Sequence, residues 1–186
     1  MQIILSEDTR RAVIEKAVNA LKKGGMVVYP ADTVYGIAVD ATNAAAIQKL
    51  DVLKSRKSGQ KYSSNFSDIE MVKEFCEVSK SQEKILNKYL PGPFTFILSE
   101  NVSVRIPKNS IIVEIVKQFG KPVTATSANI SGKPPAISIK SLDAKIYLAA
   151  DLLIELTDFE PKLPSAVVDI SKEPPEVIRQ GELHFP

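Results

Sequence analysis

The sequence predicts a layered α/β domain built on a mixed sheet, and three observations lead there. Short apolar runs bounded by turn residues alternate with segments of helical period along the chain. No repeat, low-complexity stretch or shift of composition divides it, so residues 1–186 read as one domain. The run from Ser99 to Pro107 breaks the strict alternation of strand and helix, which favours a mixed sheet over a purely parallel one.

The elements follow in order. Arg10 to Lys23 places Val13, Ile14, Ala17, Val18 and Leu21 on one helical face and stops at Gly24-Gly25. Met26 to Tyr29 is a first apolar strand, followed by a Pro/Asp turn. Asn43 caps a helix running through Ala46, Ile47, Leu50 and Leu53. Asp68 caps another through Met71, Val72 and Phe75, and Ser81 to Leu90 is helical up to Pro91-Gly92-Pro93. Phe94 to Leu98 is a strand; Ile111 to Phe119 is a helix ended by Gly120. Pro122 to Thr126, Leu152 to Ile154, Ala166 to Ile170 and Glu176 to Arg179 are short strands, with a helix over Ser141 to Ala149 between the first two.

Composition excludes several classes. With 44% apolar and 25% charged residues, the chain is neither collagen-like nor coiled coil nor wholly disordered. No run approaches eighteen uncharged apolar residues, so no membrane-spanning helix is expected. The N-terminus lacks the basic region and apolar core of a signal peptide, which implies a cytoplasmic location. One cysteine, Cys76, and one histidine, His184, exclude an internal disulfide and a His/Cys zinc site, and leave a Ser-His-Asp triad dependent on a terminal residue. A net charge of +2 means that any nucleic-acid contact must be local.

Four segments could carry chemistry. Lys54-Ser55-Arg56-Lys57-Ser58-Gly59-Gln60-Lys61 holds four cations, with no acidic residue from Lys54 to Ser67. It suits an anion, and it equally suits a solvated basic loop. Thr124 to Gly132 runs from a strand into small hydroxyl and amide side chains, which can meet phosphate or ribose oxygens or form an ordinary polar turn. It lacks the lysine-serine/threonine ending of a Walker loop, and no G-x-G-x-x-G occurs in the chain. Tyr29-Pro30-Ala31-Asp32-Thr33-Val34-Tyr35-Gly36 puts two tyrosines around a turn, as pocket walls or as packing. Pro164 to Asp169 and Ile178-Arg179-Gln180-Gly181 offer a serine and an arginine that could close the same pocket. Asp32 and Asp169 fit turns better than a metal site.

In this order, the segments resemble the YrdC-like family of TsaC-type threonylcarbamoyl-adenylate synthases. The matching elements are Tyr29 to Gly36, Lys54-Ser55-Arg56, Pro91-Gly92-Pro93-Phe94-Thr95, Val104-Arg105-Ile106-Pro107, Thr126 to Gly132, Pro164 to Asp169 and Ile178 to Gly181. They span about residues 24 to 181, and the chain resembles the short, single-domain form. The resemblance implies a twisted mixed parallel/antiparallel sheet with flanking helices and a concave basic face. It implies a nucleotidyltransferase that joins L-threonine, bicarbonate and ATP into L-threonylcarbamoyl-adenylate and releases pyrophosphate. The product would feed tRNA N6-threonylcarbamoyladenosine-37 through downstream threonylcarbamoyl-transferase proteins. Magnesium would come with the ATP, held mainly through phosphates, with no metal site of the protein's own and no prosthetic group.

Carried over by position, the resemblance makes Lys54 and Arg56 the catalytic residues, holding the phosphates and the activated carboxylate. Thr95, Ser127, Asn129 and Arg179 join them on the ATP side. Arg105 would bind the threonine carboxylate, with Ser165, the Ala125 backbone, Asn65 and Thr33 completing the threonine side.

The chain departs from the family pattern at Ala31, where threonine is usual, after Arg56, and at Pro135, where some relatives have a serine. Asn65 falls near a threonine-contacting histidine of longer relatives. If Pro30 to Val34 is extended, Thr33 shares a face with Ala31 and offers a substitute hydroxyl about 6.6 Å along the strand. Two other readings compete. One is a non-catalytic module binding double-stranded RNA or tRNA through Lys54, Arg56, Lys57 and Lys61. The other is a carbamoyl-adenylate activity as in hydrogenase maturation factors, whose zinc-finger and acylphosphatase segments this chain lacks.

Overall fold

The computed structural model describes residues 1–56, 61–108, 110–181 and 183–185. Ten strands form one mixed sheet. In chain order the elements are β1 (Gln2–Ile4), α1 (Glu7–Lys22), β2 (Val27–Pro30), β3 (Tyr35–Ala38), α2 (Ala44–Lys54), β4 (Ser63–Asn65), α3 (Ile69–Phe75), α4 (Lys80–Tyr89) and β5 (Phe94–Ser99). They continue with β6 (Val102–Arg105), α5 (Ile111–Phe119), β7 (Val123–Ser127), α6 (Ala144–Ala149), β8 (Leu152–Glu155), β9 (Ala166–Asp169) and β10 (Glu176–Arg179). The strands lie side by side as β1-β8-β2-β3-β7-β4-β6-β5-β9-β10. Pairs β1/β8, β8/β2, β4/β6 and β5/β9 are parallel; β2/β3, β3/β7, β7/β4, β6/β5 and β9/β10 are antiparallel.

Side-chain caps set the helix starts. Asn43 Oδ1 accepts from the amides of Ala45 and Ala46, and Asp68 Oδ1 from that of Met71. Ser6 and Ser79 form reciprocal capping boxes with Thr9 and Gln82, so α1 and α4 begin earlier than apolar periodicity alone suggests. The helix expected over Ser141 to Ala149 is two pieces: a single 3₁₀ turn, Ile139–Ser141, and α6, capped by Asp143. Ser141 Oγ accepts from the amides of Ile137 and Ser138, which ties it to the preceding turn.

The two halves of the sheet are covered differently, and this creates the site. In the β1–β7 half, Val27 and Tyr29 of β2 pack with α1 and α5, while Val28 packs with α2 and α6. Leu152 and Ile154 of β8 likewise face one way and Leu153 the other. Helices cover both faces of β2 and β8 there, which is why β2 is buried at every position. In the β4–β10 half, Phe94, Phe96, Val104, Ala166 and Val168 pack with residues of α3 and α4, where Tyr89, Phe94, Phe96 and Phe185 form an aromatic cluster. The residues between them in sequence (Thr95, Arg105 and Val167) line a cavity instead. Period-two alternation thus turns an apolar face to the helices and a largely polar one to the cavity.

Candidate functional site

The cavity has a volume of about 400 Å³. Its walls come from the end of β2 and start of β3, from β4, β6 and β7, and from the β5–β9–β10 edge. Of the site residues expected from sequence, it gathers Thr33, Asn65, Thr95, Arg105, Ala125, Ser127, Ser165 and Arg179. Lys54, Arg56 and Asn129 are not on its lining. Lys57, invoked for phosphate contact, lies outside the described residues.

Ser165, immediately before β9, is the hub. Its Oγ accepts from Arg105 Nη1 at 3.0 Å and lies 3.1 Å from Thr95 Oγ1. Its carbonyl accepts from Arg179 Nε at 3.2 Å and from Nη2 at 2.9 Å. Gly181 makes this approach feasible, since a Cβ there would sit 2.2 Å from the Ala166 nitrogen. Arg105 also pairs with Asp32 through Nη2. Burial, and then the like charge of Arg105, lower the Arg179 pKa from its ordinary value. Two guanidiniums beside one carboxylate leave a net positive charge, which suits an anion.

Asn65 forms another part of the wall. Its Nδ2 donates to Tyr29 Oη at 2.8 Å and to the Thr124 carbonyl at 3.4 Å. Both amide hydrogens are then used, leaving Oδ1 as the acceptor for a ligand. Burial pushes the Tyr29 hydroxyl up to about 12, against the opposing pull of Arg105, so it stays protonated. Tyr29 faces Gly36 in register, and a Cβ at Gly36 would come within 2.8 Å of the tyrosine ring.

The turn between β2 and β3 corrects one expectation. Ala31 N–H donates to the Val34 carbonyl, and Pro30 pairs with Tyr35, so the segment turns back rather than extending. Ala31 and Thr33 are therefore not related by a strand repeat, although both line the cavity. A strap between β8 and β9 fastens this turn: Leu156 N–H donates to Tyr35 Oη, Phe159 packs edge-on to Tyr35, and Lys162 N–H donates to the Thr33 carbonyl.

Lys54 is not the solvated cation its sequence context suggests. It is 3% exposed, and its Nζ donates to the carbonyls of Ser127 at 2.7 Å and Asn129 at 2.9 Å and to Asn129 Oδ1 at 3.2 Å. Its own carbonyl accepts from Ser131 N–H. Asn129 Oδ1 also accepts from Ser127 Oγ, and its Nδ2 donates to the Lys133 carbonyl. Lys54 thus clamps the Ser127–Ser131 loop. Burial, then the Arg56 charge, lower its pKa to about 8. Arg56 follows Ser55, whose φ of 53° turns the chain at the end of α2, and its guanidinium lies 4.6 Å from the centre of the Tyr62 ring.

Sequence reasoning passed over Asp32 as a turn residue and Tyr29 as packing. The signal available was their place in the same eight-residue motif as Thr33. Among the described residues no group of three or more His, Cys, Asp or Glu side chains is placed to hold a metal ion, and the cavity lining carries no carboxylate.

Comparison with known proteins places this geometry. A family model, Sua5_yciO_yrdC, described as "Telomere recombination", matches residues 19–181. A curated protein of Methanocaldococcus jannaschii is 30% identical over 188 positions, covering 95% of this chain and 89% of its own length. A protein of Photobacterium profundum named threonylcarbamoyl-AMP synthase is 25% identical, with 90% of this chain and 98% of the relative covered. Pyrococcus abyssi Sua5, solved in complex with L-threonine, superposes with a TM-score of 0.83 at 24% identity, which speaks to the fold. The superposition covers 98% of this chain and 57% of that longer one.

Proposed function

The chain belongs to the Sua5/YciO/YrdC family, and from that premise we propose that it is an L-threonylcarbamoyladenylate synthase. In this reading it converts ATP, L-threonine and bicarbonate to L-threonylcarbamoyl-AMP and pyrophosphate. The observation that carries the reading is the Arg105–Ser165–Thr95 hub, closed by Arg179, on the open face of the sheet.

Arg105, with three of its five N–H groups left among the described residues after Asp32 and Ser165, receives the amino-acid carboxylate. Asn65 Oδ1 and Thr33, whose hydroxyl has no hydrogen bond among the described residues, face the rest of that substrate. Ser127 and Arg179 bound the nucleotide side; Lys54 holds the loop that follows Ser127, Arg56 lies just past the end of α2, and in this reading both serve the phosphates. The threonine amine bonds to the carbon of bicarbonate, a C–O bond breaks and water leaves, and the resulting carbamate oxygen attacks the α-phosphorus while the bond to pyrophosphate breaks. Such a displacement needs alignment and charge neutralisation more than a protein nucleophile. A site without histidine or cysteine suits that chemistry.

Magnesium fits only as a companion of the nucleotide. The lining offers it no carboxylate, so the phosphates and water would hold it. The acyl-adenylate would pass in the cytoplasm to a transferase acting on adenosine 37 of tRNA. The test is to incubate the protein with ATP, magnesium, bicarbonate and each amino acid in turn, and to look for the acyl-adenylate by mass spectrometry. A carbamoyl-adenylate formed with threonine supports the proposal. One formed equally with serine and valine would remove threonine from it, and none with any amino acid would remove the activity.

A further inference from the structure

We propose that Asp32 is the positioning residue that aims Arg105 at the amino-acid carboxylate. The inference rests on the reading of this cavity as an amino-acid site. Asp32 sits in the β2–β3 turn between Ala31 and Thr33, both of which line the cavity, while Asp32 itself does not. Its carboxylate pairs with Arg105 Nη2, and Ser165 Oγ takes Nη1 at 3.0 Å. The guanidinium is therefore held at two different nitrogens by groups on two different segments. That fixes its plane, which a long side chain with several rotatable bonds does not otherwise do.

The pair is well shielded, with side-chain exposures of 12% for Arg105 and 22% for Asp32. Asp32 is also backed by a fastened turn: Ala31 N–H donates to the Val34 carbonyl, and Lys162 N–H to the Thr33 carbonyl at 2.8 Å. A carboxylate so placed could instead occupy the substrate's position. Two facts oppose that. Asp32 lies off the cavity lining, and among the described residues only two of the five guanidinium N–H groups are spent on protein partners. Asp32 also offsets one of two arginine charges that converge on Ser165, so the guanidiniums sit together with less repulsion.

The test compares L-threonine with L-threoninol, which lacks only the carboxylate, as competitive ligands of wild type, Asp32→Ala and Asp32→Asn. ATP affinity and the melting temperature of each protein are measured alongside. In Asp32→Ala we expect threonine to weaken about tenfold while threoninol and ATP change less than twofold. Asp32→Asn keeps an acceptor at the same place and should fall between wild type and alanine; it carries the comparison if the alanine variant does not fold. Equal weakening of threonine and threoninol would reduce Asp32 to a wall of the pocket and overturn the inference. Tighter threonine binding in either variant would mark Asp32 as a competitor and overturn it as well. If the wild type binds a different amino acid, and the variants lose affinity for it but not for its alcohol, the inference stands and the threonine assignment falls. If the wild type binds ATP but no amino acid, both fall.

Discussion

Replacing Lys54 by methionine keeps the apolar stem of the side chain and removes the ammonium that clamps the Ser127–Ser131 loop. Three acceptors lose a donor, though unequally. Ser127 O still receives Asn129 N–H, and Asn129 Oδ1 still receives Ser127 Oγ. Asn129 O loses its one donor among the described residues. An orphaned buried carbonyl costs about 1–3 kcal/mol, and each of the other two bonds about 1 kcal/mol, for a loss near 3–5 kcal/mol. Against this stands the burial that lowers the lysine to about 8 from its ordinary 10.5, a handicap of roughly 3–4 kcal/mol for the charged form. The net loss at pH 7 is then about 0–2 kcal/mol.

The sign with pH follows from linkage. Between about pH 8 and 10.5 the folded protein has released a proton that the unfolded chain still holds. Wild-type stability therefore rises through that window relative to the variant, and the difference is flat below pH 8. Urea unfolding of both proteins at pH 7 and pH 10 measures this directly. A difference that stays flat or narrows at pH 10 would refute the buried, depressed lysine and the clamp built on it.

Three further outcomes are expected. Arg56→Ala should lower kcat/KM for ATP by about 10²–10³-fold, because in the proposed reading its charge holds the phosphates, while melting shifts little; steady-state kinetics and a thermal melt check both. Ala31→Thr adds a hydroxyl on the cavity wall and should lower the threonine KM a few-fold, from one neutral hydrogen bond of roughly 0.5–1.5 kcal/mol, with ATP kinetics unchanged. A raised threonine KM would show that the pocket departs from this description. Cys76→Ser and His184→Ala, both away from the cavity, should leave turnover within twofold, and a hundredfold drop in either would place a catalytic group where none is described.

The helices were legible because their starts are written in local side chains. Asn43 and Asp68 announce caps that the structure forms, and Gly120 ends α5 in the left-handed conformation that glycine accommodates. Several strands were not. β1 and β4 have three residues each, and Ser63-Ser64-Asn65 has no apolar alternation to read. β3 begins directly after a four-residue turn, so its Tyr35-Gly36 start reads as turn chemistry. At the site, the residues around the cavity came from motifs that each supply one wall. The burial of Lys54 was hidden because its partners lie 73 and 75 positions away, and a run of cations reads locally as a solvated loop. The Asp32–Arg105 pair spans 73 positions and was hidden for the same reason.

The central claim is that one cavity activates a carbamoylated amino acid with ATP, and substrate omission tests it most directly. Pyrophosphate release is followed with ATP and magnesium present, and with threonine and bicarbonate supplied together, singly or not at all, in carbonate-depleted buffer. The account predicts release only when both are present, and its loss in Arg105→Ala. Equal release without bicarbonate would contradict the carbamoyl step, and release without threonine would contradict the amino-acid site.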